Sequence, residues 1–166
     1  MQKLIGCVLV FFACSGMGIC KGLELKSHLK ELEELKQLFV LLKSELQYTR
    51  APFAEVFRKI GKKTQGELGA WITGLCKSLE EKGTGTFYEI WCDSIEQALG
   101  NTYLKKEEKE ELKNLGKNLE YIESIGLYIE QLEYNIKNTR EEYQTKRKLC
   151  QSMGIMGGIF LVILLL

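Results

Sequence analysis

Arg58, Lys59, Lys62 and Lys63 form a compact basic cluster in this 166-residue chain. Spaced one helical turn apart, they could dock an acidic partner surface, the plain alternative being a solvated helix end. Little else could do chemistry. The single histidine, His28, lies beside Leu29 on the polar side of an apolar stripe and is expected in solvent. A metal cluster needs several His or Cys at ligand spacing, and a metalloprotease needs two His one turn apart. One His and no C-x-x-C meet neither need. No G-x-x-x-x-G-K-[ST] phosphate cradle occurs, and Gly83-Thr84-Gly85-Thr86 reads as a turn leading into a Thr helix cap. The run Lys105–Glu111 reads as the first turns of a solvated helix. No catalytic residue, cofactor or metal is expected, and the chain reads as a non-enzyme.

The elements follow from apolar spacing. Leu25, Leu29, Leu32, Leu35, Phe39, Leu42 and Leu46 recur every three or four residues. Leu112, Leu115, Leu119, Ile122, Ile125, Ile129, Leu132 and Ile136 do the same, with Tyr143 one further step of seven. Both are helix stripes close to a coiled-coil seam, most simply an antiparallel pair. Ala51-Pro52 breaks the first helix and opens a second, lined by Phe53, Val56, Phe57 and Ile60 up to Gly61. A third stripe reads Leu68, Trp71, Ile72, Leu75 and Leu79, closed by Lys82-Gly83. A fourth reads Phe87, Ile90, Trp91, Ile95 and Ala98, ending at Gly100. Both tryptophans fall on apolar stripes and are expected in the core. No period-2 strand pattern is convincing. The expectation is an all-α bundle of about five to six helices, its first and last helices long.

Charge divides the chain into three. Leu4–Cys20 and Met153–Leu166 hold no charged residue, while all 22 acidic residues lie between Lys21 and Cys150. Seventeen residues make roughly 26 Å of helix, near the ~30 Å of a hydrocarbon core. Residues 1–20 and 151–166 are therefore expected to be membrane helices, and residues 21–150 a helical bundle between them. The rival for the first segment is a cleaved secretory signal, with Lys3 as its basic start and Ala13, Ser15, Gly16 and Gly18 as cleavage-site residues. That reading makes the chain an exported, membrane-anchored coiled-coil protein. Basic residues flank both spans on the inner side, Lys21, Lys26 and Lys30 on one and Lys146, Arg147 and Lys148 on the other. They place the body in the cytoplasm. Cys76 and Cys92 are then unpaired thiols in a reducing compartment, and Cys7, Cys14, Cys20 and Cys150 belong to the apolar ends. Gly154, Gly157 and Gly158 clear one helix face for another membrane helix; the bland reading is that Gly is common in such helices. Charges in the middle segment cancel, which argues against nucleic acid as a partner. Self-association is left open.

Several stretches together carry a family resemblance. They are the apolar amino terminus, LFVLLKSELQYTRAPFAEVF (Leu38–Phe57), WCDSIEQALGNTYLKKEEKEEL (Trp91–Leu112), Leu115-Gly116, and the closing QSMGIMGGIFLVILLL. In the second of these, Glu45, Tyr48, Pro52 and Glu55 fit the pattern. The chain resembles the stage III sporulation protein AB family of endospore-forming bacteria across nearly its full length. It departs at Ala51, where the family tends to place a capping Thr, and at Glu120, where a second Gly is expected. The resemblance implies a membrane component of the channel-like apparatus joining mother cell and forespore. It implies a soluble region similar to the cytoplasmic domain of the inner-membrane platform proteins of type II secretion and type IV pilus systems. The implied partners are a cytoplasmic secretion-type ATPase, other membrane subunits of the channel, and the lipid bilayer. The implied location is the outer forespore membrane, with the body in the mother-cell cytoplasm.

Overall fold

The computed structural model describes the backbone of residues 2–48, 52–81 and 85–165, and side chains over 22–48, 52–81 and 85–149 with Ser152 and Met156. Among the described residues six helices run in order: α1 Gln2–Tyr48, α2 Phe53–Lys63, α3 Gly66–Glu81, α4 Phe87–Ala98, α5 Lys106–Leu115 and α6 Ile122–Leu165. Among the described residues there is no strand, and no helix is long and apolar enough to cross a membrane. Apart from Ser152 and Met156, the expected membrane segments, with Gly154, Gly157 and Gly158, lie outside the residues whose side chains are described. The chain divides into two compact units, residues 30–136 and residues 1–29 with 137–166.

In the first unit α1 and α6 run antiparallel. Lys36 pairs with Glu133 at 2.7 Å, Phe39 meets Tyr128 edge-on at 4.9 Å, and Lys43 lies over Gly126. The residue number rises along one helix as it falls along the other. Leu32, Leu35, Leu38, Phe39 and Leu42 are buried on α1, and Ile125, Tyr128, Leu132 and Ile136 on α6. Tyr128 stands where the apolar spacing alone points to Ile129, which is only half-buried.

The second expected stripe is broken in the structure. Leu112 and Leu115 close α5, Leu119 is buried in the connection, and α6 begins only at Ile122. The cause is tertiary. At Gly116 an added Cβ would stand 2.7 Å from Trp91 Nε1, so the backbone can lie against the indole only without a side chain. The backbone then turns through short bonds, Gly116 N to Lys113 O and Asn118 N to Leu115 O. Leu112 O, one of the carbonyls every helix end leaves unpaired, accepts from Trp91 Nε1 at 2.9 Å. One tryptophan thus ends a helix that the apolar spacing would continue.

Helices α2, α3 and α4 close around aromatic rings. Phe57 lies 6.1 Å from Trp91, Phe87 5.9 Å, and Trp71 5.2 Å in an edge-on pair. Such geometry adds about 0.5–1.5 kcal/mol per pair beyond the area buried. Trp71 Nε1 donates to Ser94 Oγ at 2.9 Å, so both buried indole N–H groups are bonded. The turn between α2 and α3 is tight. Thr64 caps α2 through its backbone N–H and its hydroxyl, both donating to Ile60 O, and Gly66 takes φ +73. At the start of α4, Thr86 Oγ1 accepts from Glu89 N while Thr86 N donates to Glu89 Oε2, the reciprocal capping box. Pro52 sits one position earlier than the first-turn place expected, as the N-cap of α2.

The second unit corrects the reading of His28, which is buried at 5 % exposure. It stands one turn before Leu32 and in step with Leu35, Phe39 and Leu42. The buried side of the helix therefore takes in His28 and leaves Leu25 and Leu29 half-buried. In the same unit Thr139 is buried and Lys146 pairs with Glu142 at 2.6 Å.

Candidate interaction surfaces

The basic cluster on α2 is largely occupied from within. Glu45, on the last turns of α1, accepts from Lys59 at 2.5 Å and from Lys63 at 3.3 Å. Arg58 reaches Glu80 on α3 at 2.6 Å. The Lys59 hydrogen bond and then the Lys63 bond hold the Glu45 carboxyl below its usual range, with burial opposing them. Its contribution to stability is therefore present above a pH of about 4.5 and is lost as pH falls through the folded value. Lys62 is exposed and joins no ion pair among the described residues. All four cations lie on α2, and three of them link it to its neighbours, Arg58 to α3 and Lys59 and Lys63 to α1.

Of the residues quoted for the resemblance around the first turn, Glu45 has this internal task. Tyr48, Pro52 and Glu55 are exposed, and Tyr48 is 88 % exposed at the end of α1.

A second polar set joins α5 to α6. The Lys105–Glu111 run is not solvated throughout, because Glu108 is buried, with Oε2 accepting from Lys105 N at 2.8 Å. Glu111, one turn on, is half-buried. Burial raises its carboxyl above the usual range, Glu108 and Glu107 add to this, and hydrogen bonds from Asn135 and Gln131 oppose it. Tyr128 Oη is buried and unbonded among the described residues, and burial, with Glu111 and Glu108 nearby, pushes its phenol up.

For Glu111 the folded state holds its proton more tightly than the unfolded chain. Its carboxylate therefore costs stability at neutral pH, and the cost disappears as pH falls below the folded value. Glu111→Gln is expected to raise the urea midpoint at pH 7 and to leave it near the parent value at pH 4. A midpoint lowered equally at both pH values would show that the hydrogen bonds outweigh the desolvation.

Among the described residues no group of three or more His, Cys, Asp or Glu could hold a metal. Cys76 and Cys92 are free thiols, Cys76 buried and Cys92 half-buried, and burial raises the Cys76 thiol. That is the opposite of the low-pKa condition of a reactive cysteine. Leu127 and Tyr134 on α6 were not singled out from sequence, yet both stand exposed. Their signal was present: each is a large apolar residue out of step with Ile125, Leu132 and Ile136.

The model of the family described as stage III sporulation protein AB matches residues 3–166. The chain belongs to that family. Membership implies a role in sporulation. The stage III sporulation protein AB of Bacillus subtilis (strain 168) is similar at 23 % identity over 172 residues, covering all of both chains. A solved stage III sporulation protein AB structure is similar with a TM-score of 0.65 and 20 % identity, over 71 % of this chain and 97 % of that one. That likeness supports the all-helical architecture. It carries no residue roles.

Proposed function

We propose that this family member is a non-enzymatic membrane platform of the secretion-like channel between mother cell and forespore. In this reading its apolar ends are held in the outer forespore membrane. The helical body lies in the mother-cell cytoplasm, where it docks a secretion-type ATPase and neighbouring channel subunits. The observation that supports it most is continuity within single helices. The sequence Leu4–Cys20 and the buried residues Leu32, Leu35, Leu38, Phe39 and Leu42 belong to one helix, α1; Ile125–Ile136 and Met153–Leu165 belong to another, α6. A platform needs that link between anchor and body. Tyr48 supplies an aromatic anchor for a partner at the end of α1 opposite the amino terminus.

The test is co-purification of the full chain, in lipid nanodiscs, with the cognate secretion-type ATPase. Retention at micromolar concentrations is expected, and its loss on Tyr48→Ala would place the contact. Absence of retention would remove the platform reading. Thiol labelling of intact sporulating cells tests the location through Cys92, since Cys76 is buried. Labelling by an impermeant reagent before lysis would favour the exported alternative.

A further inference from the structure

Along α6 the buried side is complete without Leu127 and Tyr134. Ile125, Tyr128, Leu132 and Ile136 fill the interior, whereas Leu127 is 67 % exposed and Tyr134 64 % exposed. They stand two turns apart, so their side chains lie on one line along the helix. A lone exposed leucine is ordinary, but two large apolar groups in register on one face make a strip that a helix can cover.

The strip's charges are acidic as far as Tyr134, and the first cation, Lys137, stands one turn beyond it. Between residues 120 and 134 the chain carries Glu120, Glu123, Glu130 and Glu133 and no Lys or Arg. Glu133 is paired with Lys36 of α1, while Glu120, Glu123 and Glu130 are exposed. On the other flank Gln131 is exposed and hydrogen-bonds Glu111 of α5, so an acid borders that side too. We infer that the outer face of α6, centred on Leu127 and Tyr134, is a docking strip for a basic amphipathic helix of another protein. Its occupant carries apolar residues at i, i+4 and i+7 with Lys or Arg on both edges.

The charges decide between occupants. Anionic headgroups are repelled by this rim, so it is not a bilayer-facing surface. A second copy offers two basic stretches. On α2, Val56, Phe57 and Ile60 are buried and three of the four cations are engaged. On α6, Lys146, Arg147 and Lys148 follow a stretch, residues 137–148, whose one large apolar residue is Tyr143. Neither stretch has an apolar face to give. The inference does not depend on the platform reading, because it concerns the partner's chemistry and not the assembly.

The test uses the full chain in phosphatidylcholine nanodiscs and two synthetic helices with one shared leucine stripe, one edged with Lys and the other with Glu. Fluorescence anisotropy of the labelled peptides should show saturable binding of the Lys-edged helix only. Leu127→Ser with Tyr134→Ser should weaken it at least about tenfold, the scale of losing two interface anchors. Glu123→Lys with Glu130→Lys should abolish that binding and admit the Glu-edged helix. All four positions are exposed, so the fold tolerates these changes. Equal binding of both peptides, or binding indifferent to the Leu127/Tyr134 pair, would overturn the inference. So would self-association of the chain that the same pair abolishes, or capture of anionic vesicles through it.

Discussion

Trp91→Ala is expected to remove about 3–5 kcal/mol of stability, the range for deleting a large buried aromatic. Three separate losses combine at this position. Trp91 is fully buried, and its ring meets Phe57, Phe87 and Trp71. Its indole N–H satisfies Leu112 O at the end of α5, and its face is the surface against which Gly116 turns. Trp91→Phe separates these effects. It keeps most of the ring contact and leaves the Leu112 carbonyl unbonded, a cost of about 1–3 kcal/mol for a buried group. Urea unfolding of the full chain in mild detergent, followed by circular dichroism, gives both values. Equal losses for the two variants would mean that the hydrogen bond dominates; a negligible loss for Trp91→Phe would mean that packing does.

The second large effect is a pair of opposite signs on one helix. Gly69→Ala should destabilise by about 1–3 kcal/mol, because a Cβ there runs into the backbone carbonyl of Thr64, whose carbon would be 2.8 Å away. Neither group is the far end of a flexible side chain, so the turn between α2 and α3 must open. Gly74→Ala, five residues on, meets nothing within 4 Å and should stabilise by up to about 1 kcal/mol through helix propensity and a less disordered unfolded chain. Thermal unfolding of the two variants side by side is the check. If both shift the same way, the close approach at Gly69 is not what holds α3 in place.

The sequence conveyed the helices better than their surroundings. Spacing alone identified Leu32, Leu35, Phe39 and Leu42 as a seam, because a helix repeats its buried side every three or four residues. It misplaced His28, since a polar residue type was assigned outward although it keeps step with Leu32. It also joined α5 to α6, because Leu115, Leu119 and Ile122 keep helical intervals through the break. The reason for the break lies in Trp91, on another helix and remote in the chain. The basic cluster shows the same limit: its four cations are plain in the sequence, but their acids, Glu45 and Glu80, sit on other helices. Charge seen along a chain is not charge available at a surface.

The partnership of α1 with α6 sets an order of events during synthesis. Phe39 leaves the ribosome with the first helix, and Tyr128, which covers it, comes with the last. Until then the nascent chain has one finished half and one waiting half: rings on α2, α3 and α4 can gather early, while α1 keeps a greasy flank open. Translation that stalls before the final helix should therefore yield a sticky, chaperone-dependent product rather than a smaller working domain.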